Sequence, residues 1–510
     1  MRSRATSKNA PAGSRGESGA GGVPVPPVPP RRPRRAPEDK VRRLTEGRLV
    51  WNVLRFGTPL VVGMVLHTAF NLVDMFMISR LQNGTEAVAA VGICDMVAAL
   101  ATILANGIST ASVALVSRRA GARFLTGVRR ATWQSLWLVG AMSVFFGLLG
   151  ILGSDVLIRG VMQAKGETAD LAAGYLRILL GGCYSIFFLL QLTAILRALG
   201  HSKTAASLLV SGNVLNILLN VLLIYGPGPH PAVFAWAAPV ASAIGVPRLG
   251  VEGAAWATLV GRTVPVVVGA LLLANRRGGP KFHRIYLLPQ WKELKSLVTI
   301  GWPSSAQLVV RVGTVLVFIS LINASYTTAG DVAALTGYSI CLRLETMALF
   351  VGMGWGAAAS TFVGANLGAD AAGRAQRAGW VAALFNVALM VGLTAIYIAW
   401  SDAIVGFFDD SPAVLEVGRE YLRTVGLSYA VLGLGLVLSQ AMTGAGATFS
   451  SMLIDASVLL LLVVPSAILV AETLALPRMA LWGVIAGGNV LAAAAYAAYY
   501  ARGTFLRKRV

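Results

Sequence analysis

The sequence predicts an all-α membrane protein: twelve transmembrane helices in two parallel-repeat six-helix lobes around a central cleft. Three observations carry this prediction. The chain is built of long apolar blocks, its basic residues fall in alternate connections between them, and its first half returns in its second. Of 510 residues, 56% are hydrophobic and only 13% charged, whereas a soluble domain carries about 25% charged residues. The mean hydropathy is +0.70. A helix needs about 20 predominantly apolar residues to cross the hydrocarbon, and such blocks recur from Val50 to Tyr500. They are too long and uniform for the alternating strands of a membrane barrel. A helix satisfies its backbone within the segment, so helices remain.

The elements follow in order. Residues 1–48 form a basic, Pro/Gly-rich tail containing Val23-Pro24-Val25-Pro26-Pro27 and Arg31-Arg32-Pro33-Arg34-Arg35. Such a composition buries no core and predicts disorder. The tail has no apolar h-region, so no cleaved signal is read there. The net charge of +21 is placed in this tail and in loops, which argues for lipid headgroups or topology and against nucleic acid. Spans are predicted near 50–79, 87–116, 131–153, 169–197, 204–225, 251–274, 296–323, 332–362, 378–400, 417–443, 449–471 and 479–500. An even number of spans puts both termini on one side. The connections there carry Arg118, Arg119, Arg123, Arg129 and Arg130, then Arg197 and Lys203. The series continues with Arg276, Arg277, Lys281, Arg284, Lys292 and Lys295, then Arg374, Arg377 and the Arg507–Arg509 end. The opposite side carries Asp155, Glu167, Asp402, Asp409 and Asp410. Positive charge stays inside, so both termini are predicted cytoplasmic and the protein is placed in the plasma (inner) membrane.

The repeat is legible in short matches. Phe56-Gly57-Thr58-Pro59 returns as Ile300-Gly301-Trp302-Pro303, 244 residues later, and Tyr175-Leu176-Arg177 returns as Tyr421-Leu422-Arg423, 246 residues later. The offset spans six helices, an even number. The halves, 49–280 and 281–510, should therefore share orientation about an axis along the membrane normal, the layout of a transporter with a midplane site.

Polar residues inside the spans are the candidates for function, because hydrocarbon penalises them. His67, Asn71 and Asp74 share one stripe of the first span, and Asn213, Asn216 and Asn220 share one of the fifth. The two stripes are predicted to face each other. Burial disfavours the charged form of Asp74, so a proton can be gained and lost there; the alternative is a carboxylate that merely holds its helix. Asn71 and His67 are expected to join Asp74 in that proton coupling, Asn71 by hydrogen-bonding either form of the acid and His67 by sharing the proton. Asn213, Asn216, Asn220 and Arg311 are the expected cavity-lining residues. A lone Arg311 in mid-span demands a partner, and Glu345 or Asp455 is expected to form a structural ion pair with it. No role is read for Asp95 or Glu252 near span ends. Cys94, Cys183 and Cys341 show no metal or disulfide spacing and are read as packing or lipid-facing residues.

These residues resemble a known family. Gly57-Thr58-Pro59, Asn71-Leu72-Val73-Asp74-Met75-Phe76-Met77, Ala89-Ala90-Val91-Gly92 and Gly107-Ile108 are similar to the opening of multidrug and toxic compound extrusion (MATE) transporters. Leu196-Arg197-Ala198-Leu199-Gly200 resembles that family's turn after the fourth span, and Gly253-Ala254-Ala255-Trp256-Ala257 the start of its sixth. The resemblance covers about residues 49–500. It implies a V-shaped pair of lobes, alternating access, and export of lipophilic, often cationic compounds driven by a proton or sodium gradient. No cofactor or metal is implied, and a monomer is expected, with small-molecule substrates and the lipid bilayer as its partners. Asp74 occupies the position of the family's first-span acid, implicated in proton coupling. The fifth-span acid of the archaeal proton-linked branch is replaced by Asn220, after Asn216. The two acids of the sodium-linked branch are replaced by Arg311 and Leu432. Proton coupling through Asp74 is therefore expected, and Arg311 leaves room for an anionic or zwitterionic substrate. The nearest alternative is a flippase or exporter of lipid-linked or polysaccharide precursors. A membrane enzyme or receptor is disfavoured: His67, His201, His230 and His283 are scattered and no Walker lysine loop occurs.

Overall fold

In the computed structural model, residues 39–81, 83–275, 288–328 and 330–508 are described, and they are almost wholly helical. The readings made of residues 1–38, of Arg276, Arg277, Lys281 and Arg284, and of Arg509 fall outside them. Among the described residues, eleven helices are long and apolar enough to cross a membrane, and a bent pair, taken as one span, makes twelve. Numbered 1–12 in chain order, the first-half spans are Leu49–Ser79, Glu86–Gly121, Leu125–Val161, Gly166–Gly181 with Tyr184–Ala198, Ser202–Tyr225 and Gly250–Ala274. The second-half spans are Trp291–Tyr326, Ala333–Gly368, Ala372–Ala399, Pro412–Gly444, Thr448–Thr473 and Arg478–Arg502.

The structure departs from the sequence prediction in three places. Span 4 is broken by 41° at Gly181-Gly182, residues that weaken a helix interior. Span 10 carries a 3-10 turn, Gly426–Ser428, just after the repeated Tyr-Leu-Arg. A short helix, Ala237–Ile244, lies in the connection before span 6. The tail boundary also moves. Asp39–Thr45 is helical with Leu44 buried, so the last residues of the predicted tail are part of the fold. The Asn366 amide donates to the Leu44 carbonyl at 3.0 Å and Arg374 to the Glu46 carbonyl at 3.1 Å. Asn52 Nδ2 donates to the Arg43 and Glu46 carbonyls at 2.7 and 2.8 Å. All three cysteines are buried, which makes them packing residues.

The repeat is visible in the packing. Spans 1–5, 2–4 and 3–4 pair in the first half as 7–11, 8–10 and 9–10 do in the second. Across the halves, span 1 packs on span 8 as span 7 packs on span 2. One apolar cluster, from Met77 to Ala255, belongs to the first half and another, from Phe318 to Trp482, to the second. A third joins Val53 and Phe56 to Phe362 and Tyr500 across the two.

The seam between the halves depends on small residues, as helix contacts in lipid do. A Cβ on Gly121 would collide with the Ala365 carbonyl, and one on Gly368 with that of Arg118. A Cβ on Gly354 would sit 2.7 Å from Val61 Cα. Ser305 Oγ donates to the Ile103 carbonyl across the same seam at 3.1 Å. The Gly121–Ala365 and Gly368–Arg118 contacts lie at the ends of spans 2 and 8 nearest the termini, whereas Gly354–Val61 and Ser305–Ile103 lie well inside their spans. Gly354→Val should force spans 1 and 8 apart and cost about 1–3 kcal/mol, read as a lower Tm of the purified protein in detergent; an unchanged Tm would mean the helices are not in contact there.

Candidate functional site

Between the halves lies a cavity of about 460 Å³. Met64, Asn106, Thr110 and Arg197 reach it from the first half, and Arg311 and Glu345 are among those reaching it from the second. Its wall is mostly apolar with a few convergent polar groups, the usual make-up of a small-molecule site.

Arg311 is both a wall residue and a braced one. Its Nε donates to Asp455 Oδ2 at 2.5 Å, with the Asp455 side chain 1% exposed and that of Arg311 26%. Asp455 also accepts from Gln307 Nε2 and from the Tyr496 hydroxyl, each at 2.8 Å. A buried carboxylate is tolerated when every lone pair finds such a donor. Of the two acids weighed from the sequence, Glu345 is not the partner: it accepts from the Tyr421 hydroxyl at 2.7 Å. Tyr421 packs against Tyr338 and Trp482 in the second half, which holds Glu345 to the body of its own half.

The second polar constellation is in the first half. Asn220 Nδ2 donates to Asp74 Oδ1 at 2.6 Å. The Asn216 amide must present its NH₂ to a carboxylate, and in that orientation it donates to both Asp74 oxygens at 2.9 and 3.0 Å while its oxygen accepts from Thr258 Oγ1 at 3.1 Å. Asn213 meets His67, with its Nδ2 3.0 Å from Nδ1. The stripes of spans 1 and 5 thus touch, and span 6 closes them through Thr258. The Asn71 side chain falls outside the described residues. Asn213, Asn216 and Asn220, expected as cavity lining, do not line the central cavity. Asp74, His67 and Thr258 take up their polar groups inside the first half instead. Asp74 itself is half-buried. His67 lies edge-on to Phe350 of span 8, ring centroids 6.0 Å apart, so this cluster touches the other half.

A residue that sequence reasoning passed over belongs here. Arg262 of span 6 lies near enough to Asp74 and to Asp95 of span 2 for its positive charge to act on both carboxyl groups. Asp95, set aside as a span-end residue, therefore joins the group. The available signal was Arg262 itself, a cation in the middle of the apolar Gly250–Ala274 run; its partners are far away in sequence.

The MatE family model matches residues 59–222 and again residues 310–469, once in each half. The chain belongs to the MATE family. It is 24% identical over 416 residues to the probable multidrug resistance protein YpnP of Bacillus subtilis, covering 82% of this chain and 87% of that protein. It is 26% identical over 428 residues to a protein of Shewanella oneidensis named FAD transporter, at 82% and 87% coverage. A solved structure described as the outward-facing conformation of a multidrug resistance MATE family transporter superposes with a TM-score of 0.81 at 25% identity, over 92% of this chain and 99% of that one. MATE proteins are membrane transporters, not enzymes. Within the MATE fold of this chain, the central cavity and the Asp74 cluster are two places where ionisable groups enter the membrane-spanning region.

Removing one member of a buried ion pair leaves the other uncompensated, at about 3–5 kcal/mol. Asp455→Asn should therefore lower the Tm sharply, and Arg311→Met combined with Asp455→Leu should recover most of the loss. An Asp455→Asn protein that melts like the wild type would show that the pair does not brace the bundle.

Proposed function

We propose that this protein exports lipophilic small molecules from the cytoplasm by antiport with protons, the halves 49–280 and 281–510 moving about the central cavity in alternating access. The single observation that carries the coupling is the hydrogen-bonded Asp74 between spans 1 and 5. Ionised, Asp74 accepts from Asn216 and Asn220 and faces Arg262. Protonated, it has an O–H to donate, and the buried Oδ1 of Asn220, which has no partner, becomes its acceptor when that amide turns over. The two amides therefore serve either protonation state. Proton uptake also removes one of the negative charges opposite Arg262.

Span 1 transmits the change. It carries Asp74 toward one end and, nearer the termini, Met64 in the cavity wall and Val61 against Gly354. A shift in how span 1 rests on span 5 is felt at the seam and in the cavity. A plasma-membrane location with both termini cytoplasmic fits the basic residues of the connections on the terminus side.

Cargo charge has two readings. The family resemblance points to cations, and Glu345 in the wall suits them. Arg197 and Arg311 in the same wall favour a cargo bearing an anionic group, in keeping with the relative named FAD transporter.

Reconstituted protein should export a lipophilic dye under an imposed proton gradient and not under a sodium gradient alone. Asp74→Asn should abolish that export while the protein still inserts and folds. Full efflux by Asp74→Asn, or efflux driven by sodium only, would remove Asp74 from the coupling.

A further inference from the structure

A second cavity, of about 200 Å³, opens where the docked helix Asp39–Thr45, the start of span 1 and the turn from span 4 to span 5 meet. Lys40, Arg43, Arg55, His201 and Lys203 line it, and among the described residues no acid does. Leu44, Phe56 and Phe362 form its apolar base. Arg43, Arg55 and Lys203 are exposed and enter no ion pair among the described residues, whereas nearby Arg42 and Arg123 both reach Glu46. Cations gathered from three separate stretches repel one another, so packing alone gains nothing by assembling them.

The second half shows that the fold does not require the cations at Arg55, His201 and Lys203. The turn at Gly200, φ 84°, is repeated at Gly446, φ 82°. The His201 N–H bonds the Leu196 carbonyl at 2.8 Å, and the Ala447 N–H bonds that of Met442 at 2.9 Å. Yet the positions matching His201, Lys203 and Arg55 hold Ala447, Phe449 and Thr299. The turn repeats there with no charge at those three positions. Beside the basic pocket, Val50 and Trp51 are 56% and 59% exposed, and an exposed Trp at the start of a span sits at headgroup level. Guanidinium and ammonium groups converging beside a hydroxyl, here Ser202, are suited to a phosphate.

We propose that this pocket binds a phosphate group, supplied by the headgroup of an anionic phospholipid. Through Arg43 and Lys40 the bound phosphate fastens the helix Asp39–Thr45 to the first half.

The test is thermal unfolding of the delipidated full-length protein in neutral detergent, with phosphatidylglycerol, phosphatidylcholine of the same chains, or inorganic phosphate added. Phosphatidylglycerol should raise the Tm of the wild type by several degrees, and of a control R130Q/R377Q/R502Q by as much. It should have little effect on R43Q/R55Q/K203Q, with R43Q alone intermediate. Phosphatidylcholine and inorganic phosphate should do little. Protection by inorganic phosphate that is lost in the triple variant would uphold the phosphate site and overturn the lipid as its source. Equal protection of the wild type and the triple variant by phosphatidylglycerol, or no protection of either, would overturn the pocket.

Discussion

Hydrocarbon offers a polar side chain no water to fall back on, and the architecture of this protein is arranged around that fact. An ionisable group sent into a span is stabilised by a partner on another helix. Asp74 finds Asn216 and Asn220, and Arg311 finds Asp455. Glu345 finds Tyr421. These bonds fix which faces of which helices meet, a task that apolar packing performs poorly when lipid is as apolar as the core. Small residues then let the backbones close at the seam, and the cavity is what remains between the halves.

The two halves share a backbone and divide the chemistry. In the first, a half-buried acid sits among amides with an arginine nearby, an arrangement with more than one way to place a proton. In the second, the acid is 1% exposed and tied to an arginine, an arrangement with one. Duplication explains the common turns and helix pairings. The halves diverge around His201 and Lys203, where the second half carries Ala447 and Phe449.

The long apolar blocks made the spans legible in the sequence, because burial in lipid leaves an unbroken signal about twenty residues long. The stripes of spans 1 and 5 were legible for a related reason: helical period places His67 with Asp74, and Asn213 with Asn220, each on one face. What period cannot show is which face of a third helix closes the group. Arg262 was missed for that reason, and Asn213, Asn216 and Asn220 were assigned to the central cavity when they turn into their own half. The choice between Glu345 and Asp455 likewise depended on tertiary neighbours, since both acids are in the second half. The bend in span 4 was written in Gly181-Gly182, but glycine is so frequent in membrane helices that it does not announce a break.

Gln307 carries a further consequence. Its amide nitrogen lies within reach of oxygens on Ser439, Ser451, Asp455 and Tyr496, at 3.0, 3.3, 2.8 and 2.9 Å. An amide has two hydrogens to give, so the four acceptors share them, and the hydroxyls settle among themselves which points where. One side chain of span 7 thus holds spans 10, 11 and 12 in common. Turning span 7 alone would take both this amide and the Arg311 guanidinium away from Asp455, a carboxylate only 1% exposed. The first half has a matching device: Gln191 Nε2 of span 4 donates to Ser112 Oγ of span 2 at 2.9 Å and to Ser135 Oγ of span 3 at 2.7 Å, so each half is riveted through one buried amide.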